Sequence, residues 1–228
     1  MTELYSRYYD EHKEDRNDLL SNPEVAFQNF AFDRANIRAL QRIGIDRRSA
    51  RVLDVGCGTG AGLLTFLRWG FPQKNLSGVD ISSARIDEAK GSLPLADLRC
   101  ESADALSHGD GTFELVIEST MFILMPDEAL AARIAREMIR VTRPGGYIML
   151  VDWRYSKPGN DVYKALTPAR ISSLFSVGRS TNIVARERGA LVPPVGRRLS
   201  RFAPSLYFLV QALLPPLVGQ VTTVLQKV

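Results

Sequence analysis

The sequence has little cysteine and little histidine, with two of each among 228 residues. Cys57 and Cys100 have no metal-ligand spacing, and each falls at an expected strand end, so both read as reduced, small apolar side chains. Cys57 as a nucleophile would need a histidine, and none lies near it in sequence. Long apolar runs are also missing. The first sixteen residues are polar and charged, and the longest apolar region, residues 206–218, is broken by Gln211, Pro215 and Pro216. A cytoplasmic, non-spanning protein is expected. No dense basic run with interleaved aromatics occurs, which argues against a nucleic-acid partner. Repeats, low-complexity tracts and linkers are absent too, so residues 1–228 are expected to form one domain.

What is present is an ordinary globular composition, 45% hydrophobic and 24% charged, enough for one sizeable core. The net charge of +4 hides an asymmetry. Residues 154–228 carry eleven Lys/Arg against Asp161 and Glu187, while residues 1–153 carry eighteen against twenty-three acids. The basic third suits either simple solubility or an anionic partner.

The most informative stretch is residues 52–62, VLDVGCGTGAG, an apolar run ending in an acid and then glycines at every second position. Apolar β-branched residues predict a buried strand, and Leu63, Leu64, Phe66 and Leu67 open a helix after the loop. Gly56-x-Gly58-x-x-Ala61, with Asp80 downstream, also satisfies the dinucleotide fingerprint. A dinucleotide, however, puts a pyrophosphate on this loop, and Asp54 would repel it. S-adenosylmethionine carries a sulfonium and an ammonium and no phosphate. Asp54 then attracts, and Gly60 leaves room for the amino-acid portion.

Residues 3–16 have helical periodicity with Tyr5, Tyr8, Tyr9 and His12 on one face. Asn22-Pro23-Glu24 predicts a helix start, Gly44 its stop, and Phe27, Phe30, Ile37 and Leu40 its apolar face. Arg34 on that face is expected to find an internal acid. From residue 51 strand and helix patterns alternate, which predicts an α/β parallel sheet. Strands are expected at 75–80, 95–100, 113–118 and 147–153, with a helix from Asp127-Glu128 to a breaker at 143–146. Asp54, Asp80, Asp104 and Glu118 fall at or just beyond strand ends, where ligands of such sheets bind. Further along the chain, Thr167-Pro168 starts a helix, 182–186 reads as a strand, Pro193-Pro194 as a separator, 205–214 as a helix and 220–226 as a last strand. His108 in Ser-His-Gly-Asp-Gly reads as a surface residue.

VLDVGCGTG at 52–60, GVDIS at 78–82, SADA at 102–105, FELVIES at 113–119 and RVTRPGGYIML at 140–150 together resemble the class I S-adenosylmethionine-dependent methyltransferases, of the small bacterial type acting on metabolites, sugars or natural products. The resemblance implies a Rossmann-like, doubly wound seven-stranded sheet, mostly parallel with the last strand antiparallel. An N-terminal helical cap (1–48) would precede a cofactor-binding core (49–153) and substrate-side elements with closing strands (154–228). By the same resemblance Asp54, Gly56, Cys57, Gly58 and Gly60 hold the methionine portion of S-adenosylmethionine, and Asp80 takes the ribose hydroxyls. Ile81 flanks the adenine, Asp104 with Ala105 reads its edge, and Glu118 lies near the donor's amino group.

Methyl transfer needs alignment in a dry pocket more than a dedicated catalytic group. An alcohol acceptor would still need a base, for which His12, Asp152 and Arg154 are the candidates. Trp153, Arg154 and Tyr155, with Tyr9 from the cap, offer aromatic surface and a cation for a small-molecule or glycan-type acceptor, methylated at oxygen, with nitrogen as the lesser alternative. No metal-ligand cluster is seen, and no Asn/Asp-Pro-Pro-aromatic tetrapeptide comes after the fourth strand. Two other readings stay open: a cofactor-binding, non-catalytic partner protein, and an NAD-dependent oxidoreductase. A homodimer also stays open. For residues 206–218 beside Arg197, Arg198 and Arg201, a membrane-surface contact is the lesser alternative to a core helix.

Overall fold

β1 (Val52–Val55) is buried at every position, as a strand covered on both faces must be. In the computed structural model, which describes residues 19–157, 159–160 and 162–228, this strand lies inside a seven-stranded sheet. To one side come β2 (Leu76–Asp80) and β3 (Asp97–Cys100). To the other come β4 (Phe113–Ser119), β5 (Thr142–Trp153), β7 (Gln220–Lys227) and β6 (Thr181–Arg188). β1 to β5 pair in parallel, and β7 runs antiparallel to β5 and β6. The expected sheet, with its last strand inserted antiparallel, is the one observed.

Side chains of these strands alternate between two cores, in keeping with the period of two that a pleated strand imposes. Leu53, Val55, Val116, Ile148 and Leu150 pack with α4 (Glu128–Val141) and α5 (Pro168–Leu174). Val52, Leu115, Ile117, Met149 and Val151 face α1 (Ala26–Ile43), α2 (Ala61–Arg68) and α3 (Ser83–Ser92). A third, smaller core beneath α6 (Pro193–Phe202) and α7 (Tyr207–Leu213) is built on Ala31, Leu191, Tyr207 and Val218. Local signals end the helices as their residue types dictate. The Asp127 carboxylate accepts the Ala129 and Leu130 N–H groups at the start of α4, Thr167 caps α5, and Gly44 closes α1 in the left-handed conformation.

The fold departs from the sequence reading at five places. The buried stripe of α1 is Ala31, Ala35, Ala39 and Leu40, while Phe30 and Ile37 are exposed; small side chains let α1 lie close against β6 and β7. Arg34 meets no acid among the described residues. Its Nη1 donates to the Gln211 Oε1 at 3.0 Å and its guanidinium lies over Phe208. Pro193 and Pro194 start α6 instead of separating elements, since a proline in the first turn lacks only an N–H that the helix leaves unpaired. β5 begins at Thr142, five residues earlier than expected, and takes in residues 143–146 as a bulge between the Phe113–Thr142 and Leu115–Tyr147 pairings. His108 is buried, edge-on to Phe113, with Asp97 and Glu101 oxygens 3.6 and 3.7 Å from its two nitrogens. Burial holds its pKa below the ordinary value.

Candidate functional site

Successive strands β2, β1, β4 and β5 each carry an acid at or near the carboxyl end: Asp80, Asp54, Glu118 and Asp152. The chain runs outward from β1 to β3 and resumes on the other side of β1 with β4, so the strand order reverses between β1 and β4. Open α/β sheets bind ligands in the crevice at such a reversal.

The glycine loop forms one wall of that crevice. Gly56, Gly58 and Gly60 have φ of 77°, 53° and 84°, values that a side chain would strain. Gly56 and Cys57 both donate their N–H to the Val79 carbonyl, at 2.8 and 3.0 Å, which pins the loop to β2. Gly62 is needed for space, because a Cβ there would sit 2.7 Å from the Asp54 Oδ2. Asp80 accepts the Gly58 N–H on Oδ2 and the Ser82 N–H on Oδ1, both at 2.9 Å, so it joins the loop to the start of α3. Exposed Ile81 comes directly after it. The Cys57 Sγ is packed against Gly78, and burial pushes its thiol far up, so it is an inert part of the wall.

Asp54 and Glu118 are buried in the protein, each with an unpartnered oxygen. Asp54 Oδ1 and Glu118 Oε1 are buried with no hydrogen-bond partner, while Glu118 Oε2 accepts the Met121 N–H at 3.1 Å. Burial, then the Asp80 charge, pushes Asp54 up to about 7. Glu118 is pushed well above the ordinary carboxylate range by burial and then by Asp152, with Asp54 contributing. Buried polar atoms are almost always paired, so two orphaned carboxylate oxygens at one crevice call for a cation with N–H donors. The ammonium of S-adenosylmethionine meets that need; the pyrophosphate of a dinucleotide would add an anion to it.

The remaining predicted residues fall into distinct settings. Asp104 accepts from Ser102 Oγ at 2.6 Å and from Arg133 Nε at 3.0 Å, contacts that hold its carboxyl below the ordinary range, and Ala105 beside it is exposed. Asp152 is buried and pushed up to about 7 by burial, against the pull of backbone N–H donors. Its Oδ2 accepts the Ile123 N–H at 2.9 Å and its Oδ1 the Trp153 N–H at 2.7 Å, so both oxygens hold backbone. Trp153 packs edge-on to Phe32 and against Gly219. Arg154 lies over the Tyr155 ring and donates to the Pro215 carbonyl, and its Nε is buried without a partner. The Tyr155 hydroxyl donates to the Pro216 carbonyl at 2.8 Å. Tyr9 and His12 lie outside the described residues. Among the described residues, no group of three or more His, Cys, Asp or Glu is placed to hold a metal ion.

Three residues that the sequence did not single out shape this site. Met121 Sδ lies 3.2 Å from where a Cβ on Gly56 would be, so the segment after β4 closes against the glycine loop. Thr120, a β-branched residue, is held at φ 58°, a strained conformation of the kind that clusters at functional sites. Arg170 is buried and donates to the carbonyls of Phe122, Lys164 and Met125 and to Glu128, which fixes the turn after Met121. Its place beside Ile171, on the inward side of a short helix, was the available signal.

Residues 52–146 match the family model described as a methyltransferase domain. Over 106 residues the chain is 36% identical to the 2-methyl-6-phytyl-1,4-hydroquinone methyltransferase of Synechocystis sp., an alignment covering 45% of this chain and 31% of that protein. Over 128 residues it is 34% identical to the trans-aconitate 2-methyltransferase of Deinococcus radiodurans, covering 56% of this chain and 47% of the relative. The chain thus spans less than half the length of either. A solved SAM-dependent methyltransferase from Methanosarcina mazei shares the fold, with a TM-score of 0.58 at 20% identity over 81% of this chain and 94% of that one. The family match begins on the first residue of β1 and ends inside β5, taking in the strand ends that carry Asp54, Asp80 and Glu118 but not Asp152, and over these residues the chain is similar to methyltransferase domains.

Proposed function

We propose that this chain transfers a methyl group from S-adenosylmethionine to an oxygen of a small-molecule or glycan-type acceptor. The observation that carries the donor assignment is the pair of buried, unpartnered oxygens, Asp54 Oδ1 and Glu118 Oε1, at the strand-order reversal. In this reading those oxygens accept from the donor's ammonium, while Asp80 uses its remaining lone pairs for the ribose hydroxyls. Ile81 flanks the adenine, and Asp104 with Ala105 meets its edge. The bound donor supplies an electrophilic methyl on sulfur: an oxygen–carbon bond forms as the sulfur–carbon bond breaks, and the acceptor's proton leaves to solvent.

The protein's contribution to rate is alignment and exclusion of water. An acidic O–H, phenolic or carboxylic, needs no base, whereas a glycan hydroxyl needs one, for which Asp152 keeps a lone pair on each oxygen beside its backbone N–H donors. Arg154 Nε, buried without an acceptor beside Tyr155, is suited to such an anionic oxygen. Tyr9 and His12 stay candidates for the acceptor side. The relatives' names, a phytyl-bearing hydroquinone and trans-aconitate, show that acceptors differ widely between members. Incubating the protein with S-adenosylmethionine and fractionated metabolites, and monitoring S-adenosylhomocysteine release, tests the reading. Release that depends on one fraction, and a methylated oxygen in its product, would support it. Donor binding without turnover on any fraction would favour a non-catalytic partner protein instead.

A further inference from the structure

α7 is an amphipathic helix turned the wrong way round for a soluble surface. Its inward positions are Tyr207 and the polar Gln211, both buried. Gln211 is satisfied there by Arg34 and by the carbonyls of Arg188 and Gly189. Its outward positions are leucines: Leu206, Leu209 and Leu213 recur at helical spacing, and with Leu214 and Phe202 they are 45–76% exposed. No charged residue occurs from 202 to 226. A continuous apolar ridge of this kind marks an interaction surface, whereas single exposed leucines do not.

Cations border the ridge at both ends. Arg198 and Arg201 are exposed on α6, and Arg201 lies over the Phe202 ring. At the far end exposed Arg188 donates to the Ala212 carbonyl and Arg154 to that of Pro215. Among the described residues from 154 onward the one acid is Glu187, which is buried and paired with Arg42. An apolar ridge with a basic border matches the anionic interface of a bilayer: leucines enter the acyl boundary while arginines meet lipid phosphates. A two-fold contact with a second copy would bring the same cations to face each other, which disfavours that occupant.

We infer that the ridge of residues 202–217 docks on anionic membrane surfaces. The ridge is tied to the acceptor side of the sheet, because Arg154 and Tyr155, directly after β5, bond to its Pro215 and Pro216 carbonyls. Docking therefore brings the mouth of the site to the bilayer, where an acceptor with an apolar tail resides. Membrane binding stands independently of methyl transfer; only the lipid-phase acceptor rests on that reading.

Vesicle co-sedimentation of the full chain tests this, with phosphatidylcholine alone and with phosphatidylcholine mixed with phosphatidylglycerol. Expected is binding to the mixed vesicles that weakens with salt. Arg198→Gln with Arg201→Gln should reduce it roughly 30-fold, and Leu209→Ser with Leu213→Ser should abolish it. S-adenosylhomocysteine affinity and circular dichroism should stay unchanged in both variants. Failure to bind either vesicle, or wild-type partitioning of the leucine variant, would overturn the inference. So would concentration-dependent self-association that the leucine variant removes, since that assigns the ridge to a second copy. A protein that binds vesicles but not S-adenosylhomocysteine would instead refute the donor assignment and leave docking intact.

Discussion

Replacing Asp54 by asparagine separates what the site costs the fold from what it offers the donor. The carboxyl is buried, Oδ1 has no partner, and its pKa stands at about 7 against an ordinary 3.8. The folded protein therefore holds a proton that the unfolded chain has already released at neutral pH. The stability tied to that proton is fully present below the unfolded value and is lost as pH rises through about 7. At 1.36 kcal/mol per unit, Asp54 costs the unliganded fold about 2 kcal/mol at pH 5 and about 4 kcal/mol at pH 8. Asparagine has no charge to bury; its new amide group, if unpaired, costs about 1–3 kcal/mol at any pH. The variant's unfolding free energy relative to wild type should thus rise by about 2–3 kcal/mol between pH 5 and pH 8, whatever the offset. Urea denaturation at each pH, extrapolated to water, measures it. S-adenosylhomocysteine affinity should move the other way, weakening roughly 10- to 150-fold for one lost charge-assisted bond. A stability difference flat across that window, or one that shrinks, would refute a buried, unpartnered carboxylate at this position.

Three further outcomes are expected. S-adenosylhomocysteine affinity should rise about ten-fold from pH 6 to pH 8, because a ligand ammonium favours ionised Asp54, and calorimetry in two buffers should show proton release on binding. Arg170→Met removes donors to Phe122, Lys164, Met125 and Glu128. A cost of about 3–5 kcal/mol should lower the melting temperature by roughly 10 °C and loosen donor binding through the Met121 turn. Iodoacetamide on the native protein at pH 8 should modify exposed Cys100 and leave buried Cys57 untouched until denaturant is added, a ratio that mass spectrometry reads directly.

The cofactor half of the fold was legible because its signals are local. A buried run, an acid and alternating glycines at 52–62 specify a strand, a turn and a helix within one short window, and the other strand-end acids lie on comparably short apolar runs. The parts that were not legible depend on packing that the local pattern does not show. His108 sits in a polar pentapeptide, yet it is buried against Phe113 and between the acids Asp97 and Glu101. Arg34 finds Gln211, 177 residues away, and nothing near either residue announces the other. Size misled on α1, where the bulky Phe30 and Ile37 stay outside and alanines face the sheet. Prolines misled at 193–194, since the same pair reads as a break or as a helix start depending on whether the residues after it turn helical. The acceptor side draws on residues after 153, where patterns are short and the contacts of Arg154 and Tyr155 reach Pro215 and Pro216.

The assignment of the crevice to a cationic methyl donor is tested most directly by titrating the unliganded protein with S-adenosylhomocysteine and with NAD in parallel calorimetric runs. Expected is saturable binding of S-adenosylhomocysteine that Asp54→Asn and Glu118→Gln each weaken, with no heat from NAD. Binding of NAD, with none of S-adenosylhomocysteine, would contradict it.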